Sequence, residues 1–232
     1  MEYATRAVRA LLGATAHPGG TALTRHLLDV AEVGPDDVVL DVACGDGATL
    51  RLLGPRGIGV DVEPRAVARA GARAGTRTRT RAGAPGRPRA VVADAHALPL
   101  ADRCADVVLL ECALSTFAAP ERALAEAVRV LRPGGRLAMT DVLLDRAGAP
   151  ADVVAVVDRV TTARTLAGYA GLLARAGLRM TVTEDRPADA LSLVRQVRRR
   201  LPVPAWRRTA RACEQAVVSG ALGYGLLVAV RR

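Results

Sequence analysis

Val38-Val39-Leu40-Asp41-Val42-Ala43-Cys44-Gly45-Asp46-Gly47-Ala48-Thr49-Leu50 decides how this chain is read. It opens as an apolar run of the length of a buried parallel strand. It turns at Gly45 and Gly47 and becomes helix-compatible from Ala48. Strand, glycine turn and helix together form a nucleotide-binding geometry, because a glycine has no Cβ and lets backbone approach a ligand closely. A dinucleotide fingerprint requires Gly-x-Gly-x-x-Gly. Leu50 occupies the third glycine's place, and an acid, Asp41, stands four residues before Gly45. A nicotinamide-dependent oxidoreductase is disfavoured on that spacing.

Further motifs follow in order. Ile58-Gly59-Val60-Asp61 is a short apolar strand ending in an acid. Ala93-Asp94-Ala95 precedes Leu98-Pro99-Leu100, Asp106-Val107-Val108-Leu109-Leu110 is a third apolar run, and Val130-Leu131-Arg132-Pro133-Gly134-Gly135-Arg136-Leu137 reads as a helix end, a turn and a new strand. With the opening stretch, this series resembles the motifs of class I S-adenosylmethionine-dependent methyltransferases over roughly residues 36 to 185, most nearly the small-molecule branch that includes quinone, sterol and arsenite enzymes. The resemblance implies an α/β fold: a Rossmann-like, doubly wound sheet of seven strands in the order 3-2-1-4-5-7-6, the last strand antiparallel. It implies S-adenosylmethionine as cofactor, held by Asp41, Ala43, Gly45, Gly47, Asp61, Val62, Asp94, Ala95 and Glu111. In that scheme Asp61 accepts from the ribose hydroxyls, which suits a carboxylate because it accepts and does not donate. Asp94 accepts from the adenine amine, with His96 and Leu98 flanking the ring. The structural alternatives are a helix cap for Asp61 and a strand-end residue for Asp94.

Composition adds bounds. The 232 residues suit one α/β domain with modest additions. One Phe, one Trp and three Tyr leave the core to Leu, Val and Ala. The net charge of +10 invites a nucleic-acid reading. Every basic residue is Arg, however, and the bias to Ala, Arg, Gly, Pro and Val runs through the whole chain. Nucleic acid is thus a minor expectation, beside a small-molecule substrate and an allowed homodimer. Cys44, Cys104, Cys112 and Cys213 form no CxxC pair, which favours a reducing, cytoplasmic setting. No signal peptide or membrane span is expected: the longest uncharged apolar run, Ala216 to Val230, is interrupted by Gly220, Gly223 and Gly225.

The organisation expected is an N-terminal helical lid or cap (1–34), a cofactor-binding core (35–187 and 221–232) and a helical insertion (188–220). Helices are expected at Ala4 to Thr15, Leu23 to Val33, Pro120 to Leu131, Ala151 to Val160, Leu166 to Ala176, Ala188 to Arg200 and Ala205 to Ser219. Trp206 is expected to anchor the last pair. Gly75 to Pro88, with its alternating Thr and Arg, reads as an exposed loop; an RNA-binding role lacks interleaved aromatic residues.

Chemistry is expected after the fourth strand, since ligands in open α/β sheets lie beyond the carboxyl ends of the strands. That segment, Glu111-Cys112-Ala113-Leu114-Ser115-Thr116-Phe117, lacks the Asn/Asp-Pro-Pro-Tyr/Phe motif of amino-methylating relatives. Glu111, Cys112 and His17 are the candidate catalytic residues, with Asp141 as a further candidate base. Cys112 reads equally as a small buried residue, and His17 as a turn or capping residue. No nucleophile–His–acid triad and no metal-ligand spacing is present. The reading is methyl transfer from S-adenosylmethionine to a small molecule by in-line displacement. The alternatives are an RNA methyltransferase using the Arg-rich loop and a non-catalytic, methyltransferase-like binding protein.

Overall fold

Seven strands form one sheet in the computed structural model, which describes residues 17–73, 78–79, 85–86, 89–200 and 204–232. They are β1 (Val39–Val42), β2 (Gly57–Asp61), β3 (Arg89–Val92), β4 (Ala105–Glu111), β5 (Leu131–Leu144), β6 (Leu178–Asp185) and β7 (Leu222–Arg231), in the order β3-β2-β1-β4-β5-β7-β6. The first five pair in parallel, and β7 runs antiparallel between β5 and β6. This is the order and the final-strand direction the sequence motifs imply.

The continuous apolar runs are explained by burial on both sheet faces. Val39 and Leu40 are fully buried, as are Val107 to Leu110. The period of two divides their side chains between two cores. Val107 and Leu109 pack with α1 (Gly20–Val30), α2 (Ala48–Leu53), α5 (Ala151–Val157) and the pair α7 (Pro187–Arg200) and α8 (Pro204–Val218). Val108 and Leu110 pack with α4 (Pro120–Val130) and α6 (Leu166–Arg175). The remaining long helix, α3 (Pro64–Arg73), follows β2. Few aromatics enter either core, but Tyr169 and Tyr224 are each buried to 1% exposure. Each spends its hydroxyl inside, Tyr169 donating to the Val142 carbonyl and Tyr224 to Thr140 Oγ1.

Several boundaries differ from the sequence expectation. Helix α1 begins at Gly20, three residues before the expected Leu23, with Gly19 at a left-handed φ of 74° preceding it. The turn expected at Arg132–Gly135 lies within β5, which begins at Leu131. Pairing with β4 jumps from Ala105–Leu131 to Val107–Arg136, so the intervening residues bulge from the ladder, with Gly134 at φ 76°. Helix α5 ends at Val157 rather than Val160. Thr78–Arg79 and Pro85–Gly86 pair as a short antiparallel ribbon within the segment read as a loop. The rest of that loop, the helix expected at Ala4 to Thr15 and the Trp206 side chain lie outside the described residues.

This topology brings functional residues to one rim. Strands β1 to β6 end there, and β7 starts there, since Leu222 faces Leu144 and Gly225 faces Asp185. The α7–α8 hairpin therefore leaves and returns at the carboxyl rim. Arg129 fixes the neighbouring turn: it bonds both oxygens of Glu126, Asp102, and the carbonyls of Leu98 and Leu100. Glu126 in turn accepts from the Leu98 amide. Among the described residues no helix is long and apolar enough to cross a membrane.

Candidate functional site

The glycine turn after β1 is built by backbone constraints. Gly45 has φ 53° and Gly47 φ 74°, both left-handed. A Cβ on Gly47 would also lie 2.8 Å from the Ala70 Cβ of α3, so the turn sits against that helix. Ala43 is left-handed too, at φ 61°, and is exposed. A side chain in that region costs about 1–2 kcal/mol, and such strain concentrates at functional turns. Cys44 points inward, and a Cβ on Gly59 would meet its sulfur at 2.8 Å.

Three carboxylates surround this turn. Asp41 is 3% exposed and its Oδ2 has no hydrogen-bond partner. Its carboxyl is held well above the usual carboxylate range, by burial first and then by the charges of Glu111 and Asp61. Asp61 is largely tucked in, at 9% exposure. Its Oδ2 accepts from the Gly45 amide at 2.8 Å and its Oδ1 from the Glu63 amide at 2.9 Å, because two backbone N–H groups of adjoining turns converge on it. Glu111 ends β4 with both oxygens engaged: Oε1 accepts from Thr49 Oγ1 at 2.6 Å and Oε2 from Thr24 Oγ1 at 2.8 Å.

His17 joins this cluster from the N-terminal side. It is 7% exposed, and its Nε2 lies 3.5 Å from Glu111 Oε2 and 3.4 Å from Thr24 Oγ1. Its Nδ1 lies 2.9 Å from the Pro18 carbonyl oxygen, which can only accept, so Nδ1 carries a proton. Nε2 faces the Glu111 carboxylate, and the Thr24 hydroxyl between them donates to the nearer of the two, the carboxylate. Thr49 lies inside the opening motif, but Thr24 stands 87 residues from Glu111 and carries no sequence signal.

The adjoining rim has different chemistry. The Asp61 carbonyl accepts from the Ala93 amide, which sets Val62 and Asp94 at neighbouring strand ends. Val62 is 68% exposed, a large apolar side chain left in solvent at this point. Ala95 is nearly buried, and Asp94 presents an exposed carboxylate bonded to His96 through that residue's amide and Nδ1. His96 accordingly faces Asp94 and the ring of Phe117.

Cys112 is buried and left-handed at φ 52°, and its amide donates to the Thr140 carbonyl. Asp141 is fully buried and accepts from the Ser115 amide and hydroxyl, which staples the post-β4 turn to β5. Burial pushes its carboxyl up to about 6, against those hydrogen bonds. Three donors, the Ser115 amide and hydroxyl and the Val142 amide, converge on it, which makes Asp141 an anchor of the turn. His26 pairs with Glu184 away from this cluster. Among the described residues no group of three or more His, Cys, Asp or Glu is placed to hold a metal ion.

Comparison with known proteins bears on this geometry. Residues 40–139 match the family model described as a methyltransferase domain. The chain is 33% identical over 173 residues to a methyltransferase, GfsG, of Streptomyces halstedii, covering 72% of this chain and 61% of that protein. It is 32% identical over 181 residues to 27-O-demethylrifamycin SV methyltransferase of Amycolatopsis mediterranei, covering 74% of this chain and 65% of that one. Both matches span less than two thirds of the relative's length. A solved structure of geranyl diphosphate methyltransferase in complex with S-adenosylmethionine superposes with a TM-score of 0.76 at 20% identity, over 91% of this chain and 85% of that one, which is a likeness of fold.

Proposed function

We propose that this chain, whose residues 40–139 match a methyltransferase domain, is a class I S-adenosylmethionine-dependent methyltransferase that transfers the methyl group of that cofactor to a small-molecule acceptor by in-line displacement. The observation that carries this reading is the buried, unpartnered oxygen of Asp41 beside Asp61 and Glu111. A cluster of carboxylates in low dielectric needs a cation. S-adenosylmethionine brings two, an ammonium and a sulfonium, whereas a dinucleotide would bring the negative charges of a pyrophosphate.

The residues present fit the cofactor. Asp41 supplies the acceptor for the ammonium, and Glu111 adds negative potential behind it. The left-handed Ala43, Gly45 and Gly47 let backbone approach the ligand. Asp61 holds the turn and offers its remaining lone pairs to the ribose. Val62 provides an apolar face for the adenine, with Asp94 and the Ala95 amide at its edge.

When bound, S-adenosylmethionine supplies an activated methyl carbon: the acceptor's lone pair forms the new bond as the carbon–sulfur bond breaks, and its electrons leave on sulfur. The chain's contribution is position, with reacting atoms held at about 3–3.5 Å in line. An acceptor that carries a proton must lose it. His17 Nε2 takes that proton, and Glu111 at 3.5 Å stabilises the resulting imidazolium. Cys112 lines the turn beside this cluster as a buried wall residue.

The test follows the label of methyl-labelled S-adenosylmethionine in a cell extract incubated with the protein. Label entering the solvent-extractable small-molecule fraction, with S-adenosylhomocysteine released in equal amount, supports the reading. Label entering the RNA fraction would replace it with an RNA methyltransferase.

A further inference from the structure

The four polar atoms of His96 are committed to three residues, Asp94, Ala119 and Arg122. Its amide and its Nδ1 both meet Asp94 Oδ1, at 2.9 and 2.6 Å. Its Nε2 lies 3.3 Å from the Ala119 amide, which donates to it. Its carbonyl accepts from Arg122 Nε of α4 at 3.0 Å. Its ring stands edge-on to Phe117, with centroids 5.7 Å apart and planes at 67°. Phe117 and Ala119 close the segment that begins at Glu111.

The protonation state follows from these partners. Only an unprotonated Nε2 can accept from the Ala119 amide, so the neutral ring carries its proton on Nδ1 and donates it to Asp94. Asp94 Oδ1 thereby takes two donors, in a side chain that is otherwise exposed. The same two donors, the amide foremost, hold the Asp94 carboxyl below the usual range. The charged groups facing His96 are Asp94 on its own turn and Arg122, Glu126 and Arg129 across a groove of about 360 Å³.

We propose that His96 is a positioning residue that couples the adenine-end turn to the acceptor-side segment 112–119: a ligand on Asp94 orders Phe117 and Ala119 through the imidazole, whose Nδ1 holds Asp94 and whose Nε2 holds the Ala119 amide. This rests on Asp94 being the adenine-end contact of the proposed function. A merely structural histidine would hold the turn in either ligand state, whereas the coupled arrangement makes order at 112–119 depend on the ligand.

Hydrogen exchange read by mass spectrometry tests this, with S-adenosylhomocysteine as the probe. In the wild type at pH 7.5, the probe slows exchange across 113–119 by about 3- to 10-fold, as making one existing hydrogen bond more persistent would. His96→Asn keeps a donor toward Asp94 and lacks the distal acceptor. It binds the probe within about 3-fold of wild type, and the protection of 113–119 is lost. Protection retained in His96→Asn overturns the coupling. Asp94→Asn is the control for the underlying reading: unchanged affinity there removes Asp94 from the site, whereas lost affinity there with intact coupling in His96→Asn sinks the inference alone.

Discussion

Replacing Asp41 by Asn keeps the side chain's shape and removes its charge, and the account gives opposite signs for the two consequences. In the free protein Asp41 is buried, has an unpartnered Oδ2, and sits beside Glu111 and Asp61, which all disfavour the anion. A neutral amide relieves that penalty, so thermal unfolding of the variant should show stability equal to wild type or higher by up to about 1–3 kcal/mol. The bound state loses a charge-assisted acceptor worth about 1.5–3 kcal/mol, which weakens S-adenosylmethionine by about 10- to 150-fold. A proton count separates this from a general loss of shape. The raised pKa shifts Asp41 toward its protonated form in the free site, and an arriving ammonium favours the carboxylate, so binding is accompanied by proton release. Calorimetry in buffers of different ionisation enthalpy should detect that release in the wild type and not in Asp41→Asn. A variant that binds as tightly as wild type, or releases as many protons, refutes the assignment of the cationic end of the cofactor to Asp41.

Other expectations follow from the same structure. Gly59→Ala places a Cβ 2.6 Å from Leu50 and 2.8 Å from the Cys44 sulfur, so denaturant unfolding should show a loss of about 1–3 kcal/mol with no change in which ligands bind. His17→Gln should lower kcat by about 10²- to 10⁴-fold for a hydroxyl acceptor while leaving cofactor affinity near wild type; equal kcat would remove His17 from proton transfer. Asp141, with its carboxyl raised to about 6 from 3.8, contributes stability that is complete below about pH 4 and is lost as pH rises through 6. The amount is about 3 kcal/mol, and Asp141→Asn should flatten that part of the stability–pH curve; an unchanged slope would show that another group titrates there.

The parts of the fold legible in the sequence were those written in short-range pattern. The apolar runs of β1, β2 and β4, each followed by an acid or a glycine turn, placed three strands and the rim they share. The order 3-2-1-4-5-7-6 came with the motif series and not from periodicity, which says nothing about which strand lies beside which. Pro133-Gly134-Gly135 reads as a turn between elements, yet the residues bulge from a continuous strand because Leu131 already pairs with Ala105. At the site, Asp41 and Glu111 were visible as acids at strand ends. Their shared environment was not, because it depends on Thr24 and His17 arriving from α1 and the residues before it. His96 shows the same limit at short range. It was expected beside the ligand ring, but the structure commits its nitrogens to Asp94 and Ala119, a partner 23 residues away on the other side of β4.

The central claim is that the carboxylate-lined turn after β1 takes a cationic adenosyl cofactor. Its most direct measurement is calorimetry of the purified protein with S-adenosylmethionine, S-adenosylhomocysteine and NAD in parallel. The account predicts binding of both adenosyl ligands and none of NAD. Binding of NAD, or of none of the three, would contradict it.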